Sequence, residues 1–278
     1  MKKILLATSV LAATTGFAAA EVTVSGSARM GVVYNGAAND TFFSSRVRVV
    51  FNMVGTTDGG LEFGASVRAD QIGGNGGTST GDTNGDSTVY VAMNGLKLTM
   101  GDVGGASDAL VGQVSGVGYE GFIDGLQEIG FIGTTKTAVY AEYTTGALTF
   151  GVSSGQTVTG EEISVAAKYS TDAFSVALGY EDAGSGVDAI HVGGSATFGA
   201  ATVKVRISDY PAATPYALSV DYKAGAATIT AFYTDFDTGT EHIGIGAAYD
   251  LGGGASLKGG IVSNGTDEFA DLGISMSF

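Results

Sequence analysis

The sequence has no cysteine and no tryptophan, only two prolines, and 13 basic residues against 28 acidic ones in 278 positions. Without cysteine there are no disulfides and no thiol chemistry. The formal charge of −15 excludes nucleic acid, whose affinity rests on neutralised phosphates. A catalytic His–acid set, as a barrel protease or lipase would need, has little to draw on. The chain holds two isolated histidines, His191 and His242, and no GxSxG segment, and no enzymatic activity is expected. Ser195 in Gly193-Gly194-Ser195-Ala196 is ordinary strand. Gly116-Val117-Gly118-Tyr119-Glu120-Gly121 fits GxGxxG, but no strand-to-helix unit surrounds it. Past residue 20 no apolar run approaches the roughly 20 residues of a spanning helix. No fixed short repeat marks a solenoid either.

The first twenty residues have their own character. Lys2 and Lys3 precede an apolar run from Ile4 to Ala13, and Ala18-Ala19-Ala20 supply a small-residue cleavage site. This reads as a signal peptide over 1–20, cleaved to leave a mature 21–278 chain. Loss of two lysines leaves 11 bases against the 28 acids, a formal charge of −17. An exported chain of this size without disulfides takes its stability from extensive burial or from a bilayer.

The remainder is apolar at every second residue, the pattern of a sheet with one apolar and one wet face. Sixteen alternating segments can be counted, the third over Leu61–Asp70, the fifth over Leu96–Asp102 and the sixth over Thr137–Tyr143. Tight Gly- and Asn-rich connections such as Asn94-Gly95 and Thr144-Thr145-Gly146 alternate with longer ones such as Gln71–Ser87. Short turns on one side, longer loops on the other and an even strand count describe an all-β, 16-stranded antiparallel transmembrane β-barrel.

Parity sharpens the reading. With the apolar residues facing out, every strand Lys or Arg faces in: Arg29, Arg46, Arg48, Arg68, Lys97, Lys168, Lys204, Arg206, Lys223 and Lys258. An Arg facing lipid at mid-depth costs roughly 2–4 kcal/mol. Burying ten cations in a dry sandwich core would cost far more, so the inner face is a water-filled lumen. Tyr34, Tyr143, Tyr169, Tyr180, Tyr222, Tyr233 and Tyr249, with Phe51, Phe198 and Phe278, lie near strand ends on the outward parity. There they form two interfacial girdles.

One stretch breaks the alternation. Val103–Thr135 is glycine-rich, carries Asp108, Glu120, Asp124 and Glu128, and has no Lys, Arg or His. A loop of that length in a compact domain is usually functional or disordered. We expect it, over 103–136, to fold into the lumen and narrow it. Pairing Tyr34 with Phe42 and Val54 with Leu61 sets Arg29 and Arg68 diagonal to Arg46 and Arg48. Four like charges then gather on one patch of wall, and the acidic loop supplies their counter-charge. The negative total predicts weak cation preference. Carboxylates also suit Ca²⁺, and Asp82-Thr83-Asn84-Gly85-Asp86 has related chemistry without EF-hand spacing. Calcium is therefore a candidate ligand, while no cofactor is expected.

The segment Glu21-Val22-Thr23-Val24-Ser25-Gly26-Ser27-Ala28-Arg29-Met30-Gly31 and the ending Ile274-Ser275-Met276-Ser277-Phe278 resemble the general-diffusion porins of alphaproteobacteria (the Rhodobacter type). The resemblance implies a homotrimer in the outer membrane of a Gram-negative bacterium. It implies passive passage of small hydrophilic solutes and ions, a third long loop forming the eyelet, and the Gln71–Ser87 loop latching onto a neighbour. It further implies recognition by the barrel-assembly machinery of the last strand, which ends at Phe278, and insertion among outer-membrane lipids. The competing reading is a secreted acidic β-rich adhesin or surface protein without channel activity.

Overall fold

The computed structural model describes residues 20–74, 87–119, 123–132, 138–155, 162–184 and 186–278. The strands are β1 (Glu21–Asn35), β2 (Asp40–Thr56), β3 (Glu62–Gly74), β4 (Ser87–Met93), β5 (Leu96–Gly101), β6 (Ala138–Thr145), β7 (Leu148–Gly155) and β8 (Ile163–Ser170). They continue as β9 (Phe174–Asp182), β10 (Asp188–Phe198), β11 (Ala201–Asp209), β12 (Tyr216–Ala224), β13 (Ala227–Asp235), β14 (Glu241–Gly252), β15 (Ala255–Ser263) and β16 (Glu268–Ser277). Among the described residues one short helix, α1 (Ala106–Val111), follows β5.

Each strand pairs antiparallel with the next, and β16 pairs with β1 to close the barrel. Closure runs from Ser27 opposite Ser277 to Asn35 opposite Phe269. It is finished by Gly26 N–H donating to Phe278 O at 3.2 Å and Phe278 N–H to Gly26 O at 2.8 Å. Closure gives every strand a neighbour on both sides, which satisfies backbone hydrogen bonds where no water can. The Asn94-Gly95 turn has φ of +52° and +83°, the left-handed pair that matches the twist of a two-residue hairpin.

The alternation seen in the sequence is the alternation of the wall. Val47, Ile245 and Leu272 are 56%, 59% and 59% exposed and point outward with the other apolar residues of their parity. The ten strand cations sit on the opposite parity. Aromatic residues occupy both ends of the outer face, with Tyr143, Phe174, Phe198, Tyr222 and Tyr249 exposed toward the tight turns and Tyr180 and Tyr216 toward the long loops.

Two details differ from the sequence reading. β3 runs to Gly74 rather than stopping at Asp70, so the next long connection starts later; residues 75–86, including Asp82 and Asp86, lie outside the described residues. The registers also differ. Tyr34 opposes Thr41 rather than Phe42, and Val54 opposes Gly64 rather than Leu61. Residues directly across an antiparallel pair share a face. The assumed pairing would have put inward Arg29 opposite outward Val47, and the pleat forbids it.

The lipid-facing parity predicts a measurable cost. Ile245→Arg places a cation in mid-strand on the outer face and should destabilise the folded barrel by about 2–4 kcal/mol. A urea titration in lipid bilayers checks this; an unchanged midpoint would contradict the assigned face.

Candidate pore constriction

The segment after β5 turns into the barrel and follows its inner wall. Two buried wall serines receive it. Ala106 N–H donates to Ser153 Oγ on β7 at 2.8 Å, and Ser107 N–H to Ser164 Oγ on β8 at 2.9 Å. The first amides of any helix lack partners within it, and here the barrel supplies them. Ala106, Ser107 and Leu110 are the buried face of α1, which packs on β7, β8, β9 and β10. Beyond Gly112, Ser115 N–H donates to Ser219 Oγ at 2.9 Å and Ser115 Oγ to Asp221 Oδ2 at 2.6 Å, both on β12. Tyr119 N–H reaches Asp271 Oδ2 on β16 at 2.9 Å, and Arg29 Nη1 on β1 donates to Tyr119 O at 3.4 Å.

The wall is shaped for this path by inward-facing glycines. A Cβ on Gly31 or Gly273 would come within 2.5 to 2.7 Å of the Tyr119 ring, and one on Gly246 or Gly260 within 2.7 to 2.9 Å of the Val117 side chain. Val117, Tyr119 and Ile123 pack there with Val33, Phe232, Val262 and Phe269 in a buried cluster inside the barrel.

The return leg is held by side chains from the wall. His242 Nδ1 donates to Leu126 O at 2.6 Å and Thr234 Oγ1 to Gln127 O at 3.0 Å. Arg206 Nη1 and Nη2 donate to Ile129 O and Gly130 O at 2.7 and 2.9 Å, and its guanidinium lies 3.7 Å over the Phe131 ring. Ile132 N–H donates to Glu181 Oε2 at 2.6 Å. Behind these contacts runs a buried chain: Arg206 Nε to Ser208 Oγ at 3.2 Å, Ser208 Oγ and His191 Nδ1 at 2.9 Å, His191 Nε2 and Glu181 Oε2 at 3.0 Å. A carboxylate only accepts, so Nε2 donates to Glu181. Both histidines face inward, as parity indicated; His242 anchors the loop directly, while His191 holds Glu181 and Ser208 and packs edge-on to the Phe131 ring.

The loop acids take the opposite side. Ile123, Gln127 and Ile129 are buried against the wall, while Asp108, Asp124 and Glu128 are exposed to the lumen. Glu120 lies outside the described residues. Each of the three has a surface open to water but much protein around it. That partial desolvation raises all three carboxyls, Asp124 to about 6 against the pull of Lys258 and Arg29. Asp124 is influenced by Arg29, whereas Asp108 and Glu128 are influenced by Arg206.

The four arginines do share a patch. Arg29 lies directly opposite Arg46, and Arg46 is influenced electrostatically by Arg29, Arg48, Arg68 and Asp70. Arg68 opposes Val50, one inward step from Arg48. A counter-ion within the wall is Asp70, which the sequence reading missed. It faces Arg48 across β2 and β3, accepts from Arg48 Nε at 2.9 Å and Nη2 at 2.7 Å, and sits 3.2 Å from Arg68 Nε. Its inward parity, two residues after Arg68, was the available signal. Among the described residues no cluster of three His, Asp or Glu side chains is arranged to hold a metal ion.

Asp70→Asn should leave the arginines mutually repelling and cost about 1–3 kcal/mol, the scale of losing charged hydrogen bonds from a buried acceptor. Thermal unfolding of the detergent-solubilised protein measures it, and wild-type stability would refute the counter-ion role.

Comparison with known proteins agrees with this architecture along nearly the whole chain. The family model described as Gram-negative porin matches residues 7–268. A porin from Rhodobacter capsulatus is 37% identical, covering 93% of this chain and 100% of that protein. A porin from Fuscovulum blasticum is 29% identical over the same shares. Solved structures of Rh. blastica porin mutants superpose with TM-scores of 0.80 and 0.79 at 26% identity, covering 93% of this chain and 100% of theirs. With a closed sixteen-stranded wall, a hydrated inner face and this agreement, the chain belongs to the Gram-negative porin family and is a channel protein of the Gram-negative outer membrane.

Proposed function

We propose that the channel passes small hydrophilic solutes and ions through a gap bounded by the acidic loop and the arginine wall, with a weak preference for cations. The observation that carries this reading is the division of the loop's two sides. Its apolar and amide-bearing residues are spent on anchorage, and Asp108, Asp124 and Glu128 remain open to the lumen. Across the gap stand Arg29, Arg46, Arg48 and Arg68, partly compensated by Asp70. Opposed charges across a narrow aqueous gap give a transverse field that orders water and dipolar solutes and disfavours apolar ones. Glu120 is assigned to the same acidic face from its place in the sequence.

Around that channel we place a homotrimer, supported by family membership. The signal peptide 1–20 is assigned to export. The outward Leu272, Ile274, Met276 and Phe278 of the last strand are assigned to the assembly machinery and to lipid. A calcium ion would find carboxylates on the loop face, and it enters only as a ligand to be tested.

The sign of selectivity follows from the acids. In a tenfold KCl gradient across a planar bilayer, the wild-type zero-current potential should indicate cation preference. Asp108→Asn, Asp124→Asn and Glu128→Gln together should move it to anion preference; an unmoved potential defeats the assignment. A raised carboxyl loses its charge as pH falls through its own pKa. Cation preference should therefore shrink between pH 7 and pH 5, centred near 6 for Asp124. A flat profile over that interval would contradict the exposed-acid arrangement.

A further inference from the structure

A second charged feature of the lumen lies apart from the loop–arginine gap. Beneath the C-terminal end of α1, on the side of the tight turns, a cavity of about 190 Å³ opens on the inner wall of β8 to β11. Lys168 and Lys204 flank it, and Arg206 lines its upper side. Its floor is built from Ser175, Ala177, Gly193 and Ser195, residues too short to fill the space between the lysines. Lys168 faces Ala177, Ala177 faces Gly193, and Ser195 faces Lys204. The two lysines thus stand three strand spacings and one inward step apart, roughly 16 Å between backbones. Long side chains from both edges can converge over such a floor.

The charges here are not already consumed. No carboxylate lines the cavity. Among the described residues neither Lys168 nor Lys204 makes a hydrogen bond or an ion pair. Arg206 is different, since its N–H groups are committed to Ile129, Gly130 and Ser208. Ser175 and Ser195 share one hydrogen bond of 2.9 Å, which leaves one hydroxyl proton of the pair free to donate. Two ammonium groups on long side chains and a hydroxyl, around one partly enclosed polar space, suit a compact oxyanion with several acceptor oxygens.

We infer that this cavity is a binding site for a small oxyanion of the inorganic phosphate class. Lys168 and Lys204 hold it from either side, and the Ser175–Ser195 pair donates to it from below. A single water needs only about 10–15 Å³ of such space, so a cavity of about 190 Å³ has room for a compact oxyanion. The site stands whether or not the loop acids set cation preference, because it shares none of those residues.

The test is phosphorus NMR on the intact, detergent-solubilised protein, with inorganic phosphate as the probe at constant ionic strength. Wild-type protein should broaden the phosphate resonance in a saturable way. Lys168→Gln with Lys204→Gln should weaken the apparent affinity at least tenfold. Lys97→Gln, which removes a lumen lysine on β5, should leave it unchanged. Absence of saturable broadening in the wild type overturns the proposal. So does an equal loss in the Lys97 variant, which would mean diffuse attraction by lumen cations. Heat-shifted migration on gels confirms that each variant is a folded barrel before its spectrum is read.

Discussion

Hydrocarbon cannot hydrogen-bond, and that single fact organises this protein. A strand in the bilayer must give both of its edges to neighbours, so the sheet closes, and β16 returns to β1. Closure fixes two unlike surroundings, lipid outside and water inside, and the pleat assigns alternate residues to them. The lysines and arginines of the strands then have one place to go. The same constraint explains how a chain with no disulfide and almost no proline is stable: its backbone bonds are shielded from competing water.

A sixteen-stranded cylinder is too wide for its own side chains to fill, which creates the second structural problem. The loop after β5 answers it, and its backbone must in turn be satisfied inside a wet cavity. The wall does so residue by residue, with Ser153 and Ser164 at the start of α1, Ser219 and Asp271 on the outward leg, and His242, Thr234, Arg206 and Glu181 on the return. The glycines at positions 31, 246, 260 and 273 form the trough in which Val117 and Tyr119 lie. What looks like a loose loop in sequence is therefore held to the barrel on several strands.

These two layers were not equally legible in the sequence. Strand number, face and the inward turn of the segment after β5 could be read because each depends on a local period or its interruption. Register could not, because hairpin ends tolerate a shift that no single strand reveals. The price of that ambiguity was Asp70. With Val54 set against Leu61 it had no role; with Val54 against Gly64 it lands opposite Arg48. Opposed residues share a face, so the parities of Arg29 and Val47 by themselves exclude that pairing. Glu181, His191 and Ser208 were legible only as inward polar residues. Their linkage joins β9, β10 and β11 to a loop some fifty residues or more away in sequence, and no local pattern encodes it. The inward glycines were a readable sign, as positions where the wall expects a close neighbour.

Net charge alone is a poor guide to what such a channel does. Asp221, Asp271 and Glu181 accept hydrogen bonds from the loop, and Asp70 is clamped by Arg48 and Arg68. These acids contribute to the formal total, but each is paired to a fixed donor. Asp108, Asp124 and Glu128 lack that commitment, and their raised carboxyls mark groups that touch water without being fully solvated by it. Lumen selectivity is thus decided by which charges the loop's path leaves over after anchorage. Moving the loop by a few ångströms would redistribute them without altering the composition of the chain at all.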